Sequence, residues 1–234
     1  MREIQISRRL RAVAGLVKEN GPLADVGCDH GYIPIYLIQK GKIPRAIAMD
    51  VNQGPLDRAR VHIREWGLEK YIETRLSDGL AALFAGEADT IVIAGMGGPL
   101  MERILTEGQK ALTQVKELVL QPQSEIGRFR EFLAREGYCI QAEDMVEEDG
   151  KYYPMMRAVP GKMKYNSRAE YLYGRELLTA CHPVLYDFLL REQAKAEEIL
   201  LRLEAADSLS AAERKEEIQQ EIRDRKEALA YYER

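Results

Sequence analysis

The spacing of apolar residues changes repeatedly along the chain, and each change marks an element. Residues 7–19 place Leu10, Val13, Leu16 and Val17 at helical spacing, with Ser7 as N-cap and Asn20-Gly21-Pro22 as the stop. Beyond this helix, short unbroken apolar runs alternate with helical patterns. LADVG, RAIAMDV, YIETRLSDG, DTIVIAG and KELVLQP read as strands, and IPIYLIQKG, QGPLDRARVHIREWGL, PLMERILTEGQKAL and IGRFREFLAREG read as helices. Strands that are apolar on both faces belong in a parallel sheet covered by helices on each side, so the expected fold is doubly wound α/β.

The alternation ends at YCIQAEDMV and KYYPMMRAV, two strand-like runs joined by EEDG, which predicts a terminal antiparallel hairpin. A parallel sheet closed by such a hairpin is the usual plan of S-adenosylmethionine-dependent methyltransferases. From residue 163 glycine nearly vanishes. Leu185, Leu189, Glu192, Ala196, Ile199, Leu203 and Ala206 alternate in steps of four and three, and Ile218, Ile222, Arg225, Leu229 and Tyr232 repeat the pattern. With a capping box at Ser210 and Glu213 restarting the helix, this predicts a C-terminal α-helical coiled-coil hairpin. The expected domains are 1–162 and 163–234, the hairpin serving packing or dimerisation unless RNA uses it.

Composition narrows the class. The 234 residues are 46% hydrophobic, enough for a real core, and the three cysteines, widely spaced and without a C-x-x-C pair, indicate neither a disulfide framework nor a metal site. A reducing, cytoplasmic setting is expected. The apolar run AVAGLV ends at Lys18, too early for a signal sequence, and no stretch is long enough to span a bilayer. Net charge is −4, so a nucleic-acid partner requires a local basic face. Arg2, Arg8, Arg9, Arg11 and Lys18 form one such cluster, and Arg128, Arg130 and Arg135 a second; each also reads as an ordinary solvated helix face.

The candidate chemistry lies at the ends of the strands. LADVGCDHGY has the spacing D-x-G-x-D-x-G, with Gly27 and Gly31 permitting a sharp turn and close approach of the backbone to a ligand. This fails the G-x-G-x-x-G pattern of dinucleotide sites, and a carboxylate at Asp29 would repel a pyrophosphate. The same carboxylate suits a cationic ligand, and S-adenosylmethionine carries an ammonium and a sulfonium. Asp50, 23 residues after Gly27, stands where such folds place an acid on ribose hydroxyls. Asp78 can accept from an adenine amino group, with Leu80 packing on the ring; for both aspartates the alternative is helix N-capping. IAGMGG, at 93–98, faces the crevice beyond the strand ends and lacks an Asn-Pro-Pro-aromatic loop, which favours a ring nitrogen over an exocyclic amine as acceptor. Tyr32 can stack on a base, and His30 reads as structural.

In order, SRRL, ADVGCDHGYIPIYL, DVNQGPL, RLSDGL, IAGMGG, LQP and EEDGKYY resemble the bacterial tRNA adenine-22 N1-methyltransferase family. The resemblance implies a Rossmann-like class I methyltransferase domain, S-adenosylmethionine as donor, tRNA as partner, and N1 of adenine 22 as acceptor. It matches Gly27, Asp29 and Gly31 to the cofactor loop, and Asp50 with Val51 to the ribose side. Asp78 with Gly79 matches the adenine side, and Ala94, Gly95 and Gly97 the catalytic face. Arg9 matches the arginine expected to meet the methionine carboxylate. Asp29, Tyr32 and Gly97 are the expected catalytic positions; Arg8, Arg11, Arg128 and Arg130 are the expected RNA contacts. Cys28, Ser77, Gln123 and Pro154-Met155 depart from the family pattern. No metal is expected, and the oligomeric state is left at monomer or weak dimer. The alternatives are methylation of a small molecule or protein, and a cofactor-binding adaptor without catalysis.

Overall fold

The computed structural model describes residues 3–204 and 209–233; the side chains of residues 204 and 209–211 lie outside that description. So do Arg2, Ala206 and the capping side chain of Ser210. The chain forms two compact units, Met1–Met163 and Lys164–Arg234.

The first unit is a seven-stranded sheet in the order β3-β2-β1-β4-β5-β7-β6. Strands β1 (Leu23–Val26), β2 (Ala46–Asp50), β3 (Ile72–Leu76), β4 (Thr90–Met96) and β5 (Glu117–Pro122) are parallel; β6 (Tyr138–Glu148) and β7 (Lys151–Pro160) form the antiparallel hairpin, with β7 against β5. Order reverses between β1 and β4, so the crevice of such a sheet opens at the carboxyl ends of these two strands.

Successive strand residues face opposite sides, and two apolar layers result. Ala24, Val26, Met49, Ile91 and Ile93 pack on the side of α4 (Gly98–Glu107), α5 (Gln109–Leu112) and α6 (Ile126–Arg135). Leu23, Ala46, Ala48, Val92 and Val119 pack on the side of α1 (Arg8–Leu16), α2 (Tyr32–Gln39) and α3 (Gln53–Glu65). Helix α1 starts as expected, with Ser7 Oγ accepting from the Leu10 N–H at 3.2 Å, but stops at Leu16. The reason is a fully buried carboxylate: Glu117 accepts from the backbone N–H groups of Lys18 and Glu19, from Thr90 Oγ1 and from Arg157 Nε. These bonds hold the chain just after α1 on the sheet.

In the second unit α7 (Arg175–Thr179) precedes two long helices, α8 (Pro183–Glu204) and α9 (Leu209–Leu229). They run antiparallel: Ala196 packs with Ile218 and Ile222, while the Tyr186 ring, near the start of α8, meets that of Tyr232 just after α9. The buried seam of α8 differs from the expected one. Gln193 is buried in place of Glu192, and Leu200 packs inward while Ile199 is exposed. A straight helix of 3.6 residues per turn drifts only about 20° per heptad from a strict 3.5 repeat, so Ala196 and Leu203 keep their places while the adjacent later positions 193 and 200 turn inward. Among the described residues, no helix is long and apolar enough to cross a membrane.

Candidate active site

Three residues with positive φ alternate through the turn after β1: Gly27 at 74°, Asp29 at 40° and Gly31 at 69°. The Gly27 and Cys28 N–H groups donate to the Met49 carbonyl at 2.8 and 3.0 Å, tying the turn to β2. The positive φ favours glycine at 27, and a Cβ there would also have to displace the terminal methyl of Met96. Gly31 then opens α2, whose first N–H groups have no intrahelical partners and no side-chain cap from the N-cap residue.

Beside this turn is a cavity of about 330 Å³, lined by Arg9, Leu10, Asp25, Gly27, Cys28, Asp29, His30, Tyr32, Ile33, Ala94, Gly95 and Gln123. Asp25 is foremost among the lining residues that the sequence did not single out. Its carboxyl is buried, and burial together with the charge of Asp50 pushes its pKa up to about 7. A buried acid poised near neutrality beside a cavity is suited to a cationic ligand, which repays the cost of ionising it. The Cys28 thiol is pushed well up by burial and by Asp25, so it stays protonated and unreactive.

Asp50 is also buried, and its Oδ1 accepts from the Asn52 N–H at 2.8 Å. It does not cap α3, because Asn52 is the N-cap residue. Val51 beside it is 57% exposed, an apolar side chain presented at a strand end. Leu80, by contrast, is buried in the core and cannot pack on a ligand ring; Val51 is an apolar side chain free to do so. Asp78 is exposed and pairs with Arg103 at 3.0 Å, while Gly79 has φ of 56° and leaves little room for a Cβ beside Ile104.

Asp29 is half exposed and ion-paired to Arg58 of α3 at 2.6 Å, with His30 Nε2 3.6 Å away. Tyr32 joins a cluster of near-parallel rings, with centroids 5.0 Å from His30 and 5.3 Å from His62. Neither Arg58 nor His62 carries a local signal of this role; both come from α3, remote in sequence. On the opposite wall, β4 and β5 change register between Ala94 and Met96, and Gly95 projects from the ladder with φ of 81°. Arg9 reaches this point from α1, donating to Gln121 Oε1 at 2.9 Å with its guanidinium over the Tyr153 ring. Gly97 is the N-cap residue of α4, closely backed by Ser124.

The chain matches the profile of the tRNA (adenine(22)-N(1))-methyltransferase family over residues 23–227. It belongs to this family. It is similar to the tRNA (adenine(22)-N(1))-methyltransferase of Bacillus subtilis, 40% identical over 161 residues that make up 69% of this chain and 68% of the relative. Among solved structures it is similar to a Streptococcus pneumoniae protein described as a putative tRNA (m1A22) methyltransferase in complex with S-adenosyl-L-methionine. The TM-score is 0.85 and the identity 36%, covering 96% of this chain and 100% of that one. A Mycoplasma capricolum member of the family in complex with S-adenosyl-homocysteine has a TM-score of 0.82 at 26% identity, covering 97% and 98%. The family's fold, a Rossmann-like methyltransferase sheet, is the one described above.

The basic residues expected to meet tRNA separate into two kinds. Arg8 and Arg11 are exposed on α1, with the Arg8 side chain bonded to the Glu147 carbonyl at 3.2 Å. Arg128 is exposed and paired with Glu125 and Glu102. Arg130 is a correction: it is 1% exposed and bonded at 2.8 Å to Glu143, equally buried, so it cannot meet a phosphate. The signal was present in the sequence, since Arg130 falls on the apolar stripe of α6 with Ile126, Phe129 and Leu133.

Proposed function

We propose that this protein transfers a methyl group from S-adenosylmethionine to N1 of adenine 22 in tRNA. The observation that carries the reading is the cavity at the switch point, lined by the acids Asp25 and Asp29 and by Arg9, with buried Asp50 outside its lining at the end of the neighbouring strand. The donor set fits S-adenosylmethionine: acids for an ammonium and for ribose hydroxyls, a cation for a carboxylate, and exposed Val51 for an aromatic ring. When bound, this cofactor supplies an electrophilic methyl group on a sulfonium.

The protein's own residues supply position. Gly27 and Gly31 shape the turn that lets the backbone approach the ligand, and Asp25 receives the ammonium. Asp50 accepts from the ribose, Asp78 from the adenine amino group, and Arg9 binds the methionine carboxylate. Gly95 and Gly97 keep the wall at the end of β4 free of side chains, leaving an entrance for the acceptor base. Adenine N1 has its own lone pair, so no general base is needed, and the base must be met unpaired or drawn out of its stack. Tyr32, braced by His30 and His62, offers a ring face for that base. N1 methylation makes the adenine ring cationic, and the Asp29 carboxylate, held by Arg58, offsets the new charge. Arg8, Arg11 and Arg128 are the candidate phosphate contacts, and a tRNA substrate implies a cytoplasmic location.

The test is mass-spectrometric mapping of tRNA incubated with the protein and donor. N1-methyladenine at position 22, absent from a transcript with guanine there, is the expected result. Methylation elsewhere, or none, overturns the assignment.

A further inference from the structure

The bulge at the end of β4 leaves a backbone donor without a ladder partner. Gly95 is skipped where the register with β5 shifts, and its N–H donates instead to Gln121 Oε1 at 3.1 Å. The same oxygen accepts from Arg9 Nη1 at 2.9 Å. Both partners are pure donors, which fixes the orientation of the amide, and Gln121 Nε2 donates to the Pro122 carbonyl at 3.2 Å. Gln121 is fully buried, so an apolar side chain at this position would leave the Gly95 N–H without its acceptor.

We propose that Gln121 is a positioning residue for the cofactor's amino-acid end, setting Arg9 and the Gly95 turn through one shared oxygen. The inference rests on the methyltransferase reading and on Arg9 as the carboxylate ligand. Arg9 lies on α1, 112 residues from Gln121. A long, flexible side chain from a separate element loses entropy when held at a cavity wall. Gln121 holds one edge of the guanidinium and Tyr153 lies across one face, at 5.4 Å from ring centroid to Cζ. The φ of 81° at Gly95 favours glycine there, and the Cβ position faces Arg9 Nη1 at 3.4 Å, an ordinary contact distance. Gln121 thus acts through Arg9 rather than on the ligand, since it does not itself line the cavity.

The experiment is calorimetric binding of two ligands to the full chain: S-adenosyl-homocysteine, and 5′-methylthioadenosine, which lacks the amino-acid portion. Gln121→Met removes the acceptor at nearly constant volume. It is expected to weaken S-adenosyl-homocysteine about tenfold, the scale of a hydrogen bond to a charged group, while leaving 5′-methylthioadenosine within about twofold. In an Arg9→Ala background the same change should have little further effect. Should Gln121→Met not fold, Gln121→Glu keeps the acceptor but neutralises Arg9, and it too should weaken only the ligand bearing a carboxylate. Equal losses for both ligands, or additive losses with Arg9→Ala, overturn the proposal. A wild-type protein that binds neither ligand overturns the cofactor reading along with it.

Discussion

Arg58 Nη2 stands 2.6 Å from Asp29 Oδ1, so the carboxylate in the turn after β1 is oriented by a guanidinium from α3. Both side chains are about half exposed, and such a pair contributes at most about 1 kcal/mol to stability. Asp29→Asn, which keeps a residue type tolerated at a φ of 40°, should therefore leave the melting temperature nearly unchanged. If Asp29 offsets charge on the methylated ring, single-turnover methylation should slow by more than tRNA affinity falls, and Arg58→Ala should reproduce part of that effect. Rapid-quench kinetics beside tRNA binding isotherms check this; equal, small changes in both would return Asp29 to shaping the loop.

Asp25 makes stability and ligand binding depend on pH in opposite senses. Its folded pKa, about 7, lies above the ordinary aspartate value of 3.8, so between these values the folded protein binds more protons than the unfolded chain. This group's contribution is fully present below the unfolded pKa and is lost as pH rises through 7. Asp25→Asn should stabilise the ligand-free protein relative to wild type, by an amount that grows from about pH 4 to pH 7 and then levels off. Thermal melts across that range measure the difference. Affinity for the cationic cofactor should rise in wild type as pH climbs through 7, and Asp25→Asn should flatten the rise.

Asp50 has one oxygen engaged by the Asn52 N–H. Loss of the carboxylate in Asp50→Ala should weaken S-adenosylmethionine by about 1.5–3 kcal/mol, the scale for hydrogen bonds to a charged acceptor. Titration calorimetry on the folded variant gives the value directly, and unchanged affinity would remove Asp50 from the ribose.

The arginines should divide by burial. Arg130→Ala removes a buried cation from the Glu143 carboxylate and should destabilise the first unit by about 3–5 kcal/mol, visible in denaturant unfolding. Arg8→Ala or Arg11→Ala should instead leave stability alone and reduce the salt dependence of tRNA affinity by about one unit of slope for each phosphate no longer neutralised. Binding isotherms at several salt concentrations separate the two classes.

The strand and helix pattern was legible because burial on a sheet or helix imposes a period on the residues themselves. LADVG, RAIAMDV and DTIVIAG each became a strand, and the hairpin formed around EEDG. The turn residues Gly27 and Gly31, Asp50 at the end of β2 and Asp78 just after β3 were legible for a related reason. In a doubly wound sheet, chain order alone carries strand ends to a common edge. PLMERILTEGQKAL, read as one helix, divides at Gly108, where a Cβ would collide with Leu80 of a distant loop.

Sequence by itself determined the order of elements, the family and the loops that face the crevice, because these depend on local periodicity and on residues whose backbone conformation is restricted. Tertiary structure decided which charges are available and which are spent. Arg58 on Asp29, Gln121 on Arg9, and Glu143 on Arg130 join residues 13 to 112 positions apart. A side chain's chemistry is the same in either setting, but the cost of burying its charge and the partner that offsets that cost exist only once the chain has folded.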